Sequence, residues 1–139
     1  MPQVLQSSAM KTINIALLVN EKLETAPLIC DSKKRTIAFS LPNASVKIYS
    51  AEDLYACLGL LRADFPNIKF LCKGAKLNVH PSRMSSQMSA GNLAYEMTIG
   101  RSAGKEDIVN IFDYEDTDIT NNIEDQRTFY RQWIESLSK

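Results

Sequence analysis

Apolar and polar residues alternate along much of this chain, and the period of the alternation changes from element to element. From Thr12 to Val19, Ile13, Ile15, Leu17 and Val19 recur every second residue, which predicts a strand over 12–19. Ala16 and Leu18 fall on its other side, so the strand is expected to be covered on both faces. Glu21 to Pro27 reads as a connection. Leu28 to Cys30 reads as the start of a short strand, and Asp31 to Lys34 as a turn. Ile37, Phe39 and Leu41 predict a strand over 35–41, which Pro42 and Asn43 break; Val46 and Ile48 predict a further short one.

After Ser50 the period lengthens. Leu54, Cys57, Leu58, Leu61 and Phe65 share one helical face, predicting a helix over 51–65 that Pro66 and Asn67 end. Ser50 and Asp53 form a weak capping-box pattern at its start. Gly59 inside it either costs up to ~1 kcal/mol against Ala or allows close packing on a sheet. Strands are predicted over 68–72 and 76–80, with Lys73-Gly74-Ala75 between them suggesting a hairpin. Pro81 suits the first turn of a short helix, on which Met84 and Met88 share a face and which Gly91 stops. Leu93, Tyr95, Met97 and Ile99 predict the clearest strand, 93–99. Residues 107–112 lean towards strand, and 113–121 form an acidic loop. A last helix over 123–137 has Asn122 as N-cap and an apolar stripe of Phe129, Tyr130, Trp133, Ile134 and Leu137. The sum is one α+β domain over 11–139, a mainly antiparallel sheet with the two longer helices packed on it, behind a flexible leader over 1–10.

Composition adds little to the class but narrows the setting. The 139 residues are 45% hydrophobic and 23% charged, as expected of one globular domain. No apolar run approaches the ~20 residues that span a bilayer, and the first residues lack the pattern of a signal peptide. Cys30, Cys57 and Cys72 are odd in number and without metal-ligand spacing, so buried, reduced thiols in a cytoplasmic protein are expected.

The net charge of zero hides a division. Residues 1–105 carry 13 Lys and Arg against 7 Asp and Glu, a balance of +6. Residues 106–139 carry 3 against 9, a balance of −6, and no cation interrupts the acids from 106 to 125. Such patterning bears on partners and association rates.

The residues make no recognisable catalytic constellation, and no catalytic residue, cofactor or metal is expected. His80 is the only histidine and has no partner fixed by spacing. Gly100 to Lys105 lacks the four-residue gap of a phosphate loop and has Glu106 where a Ser or Thr would bind magnesium. Ser102 and Lys105 spell S-x-x-K without the companion motifs. Asp113, Glu115, Thr117, Asn121 and Glu124 fall at calcium-loop offsets, but Asp118 stands where the turn requires Gly. Lys33, Lys34, Arg35, Lys69, Lys73, Lys76 and Arg83 give some basis for nucleic-acid binding, against which the neutral total weighs.

A resemblance rests on Pro81-Ser-Arg-Met84, Gln87-Met88, Gly91, Leu93-Ala94-Tyr95, Gly100 and Ile108-Val-Asn-Ile-Phe112-Asp113. Glu124-Asp125-Gln126, Phe129-Tyr130 and Trp133 extend it. Over about residues 68–137 the chain resembles small bacterial immunity proteins encoded beside polymorphic or contact-dependent growth-inhibition toxins. The resemblance implies a cytoplasmic, non-enzymatic inhibitor that binds one cognate toxin domain and carries no catalytic residue over. An acidic surface suits a nuclease, whose phosphate site is basic. Asp113, Glu115, Asp116 and Asp118 are the expected partner-binding acids, with Tyr114 as an aromatic anchor. The competing readings are a small enzyme using His80 with a carboxylate, and a nucleic-acid-associated adaptor using the basic half.

Overall fold

The computed structural model describes residues 10–40 and 45–138. Residues 1–9 of the expected leader, and Leu41, Pro42 and Asn43 at the end of the expected 35–41 strand, lie outside the described residues.

Five antiparallel strands form the larger sheet: β1 Met10–Val19, β2 Lys22–Asp31, β3 Thr36–Phe39, β4 Lys47–Ser50 and β5 Ile68–Leu71, in the order β4-β3-β2-β1-β5. The β1–β2 hairpin turns on Asn20 and Glu21, both at positive φ (49° and 66°), the conformation that fits the twist of a two-residue hairpin. The segment 22–27, expected as a connection, is therefore strand. Pro27 is tolerated there because pairing with β3 begins only at Leu28. Asp31 makes the next turn by accepting the Lys33 and Lys34 N–H groups at 3.0 and 2.9 Å.

One face of this sheet carries Ile15, Leu17, Ala26, Leu28, Cys30, Ile37, Phe39, Tyr49, Ile68 and Phe70, all buried. The other face leaves Leu23, Ile29 and Ile48 exposed and Ala16 and Leu18 only half-buried, so β1 is not covered on both sides. Helix α1, Leu54–Asp64, lies on the buried face. Asp53, not Ser50, caps it, accepting the Ala56 N–H at 2.7 Å. Nearly the whole of α1 is buried, because a second layer covers the side away from the sheet. Gly59 permits that contact: a Cβ there would stand 2.6 Å from the Ile123 side chain, so the close approach is to a helix rather than to a sheet.

The second layer is a small antiparallel sheet of β6 Val79–His80, β7 Leu93–Glu96 and β8 Ile108–Asn110, with α2 Arg83–Met88 and α3 Ile123–Ser136. The expected hairpin between 68–72 and 76–80 does not form. β5 pairs with β1, whereas β6 pairs with β7 in the other sheet. Between them Lys73–Ala75 is a 3₁₀ turn that carries the chain from one layer to the other. The 93–99 strand stops at Glu96, after which Thr98 and Arg101 close a tight turn. Pro81 precedes the Ser82 N-cap of α2 rather than entering its first turn, and Met84 and Met88 point to solvent. Asn122 caps α3 as expected, accepting the Glu124 N–H at 3.0 Å. Trp133 is buried, with its indole N–H donating to the Arg101 carbonyl at 2.8 Å, while Ile134 and Leu137 are exposed.

A buried polar knot ties the layers together. Arg62 is fully buried in α1, donates to the Thr120 carbonyl, and donates to the Gln126 side chain at 2.6 Å. Gln126 in turn donates to the Gly74 and Lys76 carbonyls at 2.9 and 2.8 Å. Burial lowers the pKa of the Arg62 guanidinium.

Candidate functional site

The acidic loop begins where β8 ends. Ile111 and Phe112 turn into the core, and the chain then runs antiparallel to residues 71–77. Backbone bonds stitch the two along their length. The Lys73 N–H donates to Asp113 at 2.8 Å, Glu115 to Leu71 at 3.3 Å, Leu77 to Asp118 at 2.9 Å and Thr120 to Ala75 at 2.9 Å. Isolated bridges join Cys72 with Tyr114 and Lys76 with Ile119. The loop is thus a ribbon laid along the 3₁₀ turn, not a free excursion.

Glu115 fixes the ribbon's middle. Its carboxylate accepts from Lys73 at 2.9 Å and Lys76 at 3.0 Å, and Glu96 accepts from the same two lysines at 2.8 and 2.7 Å. The second Glu115 oxygen accepts the Asp116 and Thr117 N–H groups. Only 11% of the Glu115 side chain is exposed. Burial alone would raise its pKa, but the two ammonium groups and the Thr117 N–H outweigh it and hold the carboxyl at about 2. Glu96 is lowered for the same reason. Lys73 and Lys76 are raised, their carboxylate partners overcoming desolvation.

The five expected partner-binding residues therefore divide. Asp113, Tyr114, Asp116 and Asp118 face solvent, Tyr114 at 58% exposure with its hydroxyl 3.3 Å from Asp116 Oδ2. Glu115 points inward and positions the others. Lys73, Lys76 and Glu96, which hold it, were not legible as its partners, since only the fold brings 73–76, 96 and 115 together. The same quartet neutralises two of the cations considered for nucleic-acid binding.

Asp118 takes a positive φ of 56°, the turn conformation for which the calcium-loop pattern requires Gly; Asp visits this region more readily than most residues. Glu115, however, is committed to the lysines. Among the described residues no group of three or more His, Cys, Asp or Glu side chains is arranged to hold a metal ion.

His80 ends β6 in an aromatic ladder. Its ring stacks on Tyr130 at 4.1 Å and meets Tyr55 edge-on at 5.2 Å, while Tyr130 stacks on Trp133 at 6.0 Å. Burial lowers its pKa, only partly offset by the Nδ1 contact to the Pro81 carbonyl at 2.7 Å and the charge of Asp53. It lines an open cleft of about 560 Å³ with Arg35, Asp53, Arg83 and Ser86. The Asp53 carboxylate caps α1 and accepts the Ser86 hydroxyl at 2.5 Å, and Arg35 donates to the Glu52 and Gln87 carbonyls. His80 makes no hydrogen bond to a carboxylate or a nucleophile among the described residues.

All three cysteines are buried and free. Burial pushes the Cys30 and Cys72 thiols up to about 12 and Cys57 to about 11, which disfavours the reactive thiolate. None of the described helices is long and apolar enough to cross a membrane.

No protein-family model matches this chain, and no curated protein matches it.

Proposed function

We propose that this chain is a cytoplasmic immunity protein of the polymorphic-toxin or contact-dependent growth-inhibition kind. It binds and neutralises a cognate bacterial toxin domain whose active site is basic, as a nuclease's is. The observation that carries the reading is the exposed Tyr114 among the exposed acids Asp113, Asp116 and Asp118, on a ribbon held along its length by backbone bonds. A fixed acidic surface loses little conformational entropy on docking and steers a basic partner towards it. An aromatic anchor among such charges supplies the desolvated contact that slows dissociation.

The test is co-expression with the C-terminal domain of a large secreted protein encoded by a neighbouring gene. Co-purification together with rescue of growth is the expected result. Failure of both with a demonstrably folded protein and a demonstrably toxic partner overturns the proposal.

A further inference from the structure

A cavity of about 260 Å³ opens between the Met10 end of β1 and the second layer. Its floor is apolar: Ile13, Cys30, Leu54 and Phe112, the last three buried. Its mouth is polar. Lys11, Ser32, Ser89 and Asn92 line it; Ser89 donates to the Ser85 carbonyl and accepts the Leu93 N–H, whereas the Lys11 and Asn92 side chains make no hydrogen bond or ion pair among the described residues. No carboxylate lines the cavity. An apolar floor with a few polar groups at its mouth is the usual anatomy of a small-ligand site.

We infer that this cavity binds a small amphipathic carboxylate, its apolar end against Leu54 and Phe112 and its carboxylate between the Lys11 ammonium and the Asn92 amide. The volume admits about ten non-hydrogen atoms at ~20–30 Å³ each. A carboxylate satisfies both polar groups at once, because Lys offers only donors and the Asn amide has two. A purely apolar ligand leaves both unpaired, and a cationic one meets Lys11 with the same sign. This inference is independent of the toxin-binding proposal.

The test is an NMR titration of the full chain with octanoate and, in parallel, octanol. Octanoate is expected to saturate with Kd at or below about 1 mM, shifting the Ile13 and Leu54 methyl groups and the Asn92 side-chain amide. Lys11→Gln, at an exposed position, is expected to weaken octanoate about tenfold, as loss of a charge-assisted contact does, and to leave octanol unchanged. Asn92→Asp is expected to weaken octanoate through repulsion while octanol binding persists. Leu93→Trp, at a partly exposed position on the cavity lining, is expected to block both. Non-saturating shifts, shifts centred on Ile29 and Ile48 of the exposed sheet face, or equal binding of octanoate by the Lys11→Gln variant would each overturn the inference.

Discussion

Glu115 turns a run of acids into a fixed surface, and its ionisation is linked to folding. Its carboxyl sits at about 2 in the folded chain against roughly 4.3 when unfolded. Between those values the unfolded chain binds the extra proton, so stability falls as pH drops from about 4.5 through about 2. Glu115→Gln is expected to cost on the order of 2–3 kcal/mol at neutral pH. It should also flatten the acid limb of a denaturant-midpoint series measured from pH 6 to pH 2 relative to the parent; parallel curves would show that the quartet contributes nothing. His80 presents the contrasting case. Its pKa is lowered by burial, so its contribution is present above the ordinary histidine range and is lost as pH falls through it. Because it packs between two tyrosines, His80→Ala is expected to lower stability by about 1–3 kcal/mol. The toxin neutralisation proposed for the chain should stay intact in the folded variant. Loss of activity without loss of folding would revive catalysis by His80.

At the scale of elements, Gly74 shows what local pattern conveys and what it withholds. Lys73-Gly74-Ala75 has the composition of a hairpin turn, and Ile68, Phe70 and Val79 do alternate inward as strands should. The pattern cannot say which strands pair, and the partners here lie in two different sheets. Space rather than turn geometry calls for Gly74: a Cβ would stand 2.7 Å from Leu58 and 2.9 Å from Ile111. Gly74→Ala is therefore expected to destabilise the chain by about 1–3 kcal/mol, read as a lowered chemical-denaturation midpoint. An unchanged midpoint would mean that the layers can separate at no cost. Helix positions were more legible than strand pairing, because Leu54, Leu58, Leu61 and Trp133 occupy the buried faces their spacing predicts. The Arg62–Gln126 knot was not legible: a cation and an amide 64 residues apart in sequence reveal their pairing only once both are buried. Segment 22–27 was misread because Pro27 and the charged Lys22 and Glu24 mask a strand that is exposed on its β3 side.

For the whole molecule, the division of charge is the property most open to measurement. Folding cancels part of it: Glu115 and Glu96 are spent on Lys73 and Lys76, leaving Asp113, Asp116 and Asp118 as the outward acids of the ribbon. Exposed charges act mainly on the rate of encounter and are screened by salt, whereas desolvated anchors act on the rate of escape. If the chain binds a toxin domain as proposed, joint replacement of Asp116 and Asp118 by Asn slows association with that domain several-fold at low salt. It should reduce the salt dependence of that rate and leave dissociation nearly unchanged. Tyr114→Ala is expected to do the reverse, speeding dissociation by a factor equivalent to ~2 kcal/mol, the loss typical of a hot-spot aromatic. Both variants should fold as the parent does, since these side chains are exposed and the backbone stitching does not depend on them. Stopped-flow association at two salt concentrations, with dissociation measured by competition, separates the two effects. Equal association rates for the parent and the double Asn variant at both salts would assign the acids to solvation alone, and the interface would then have to lie on another face of the molecule.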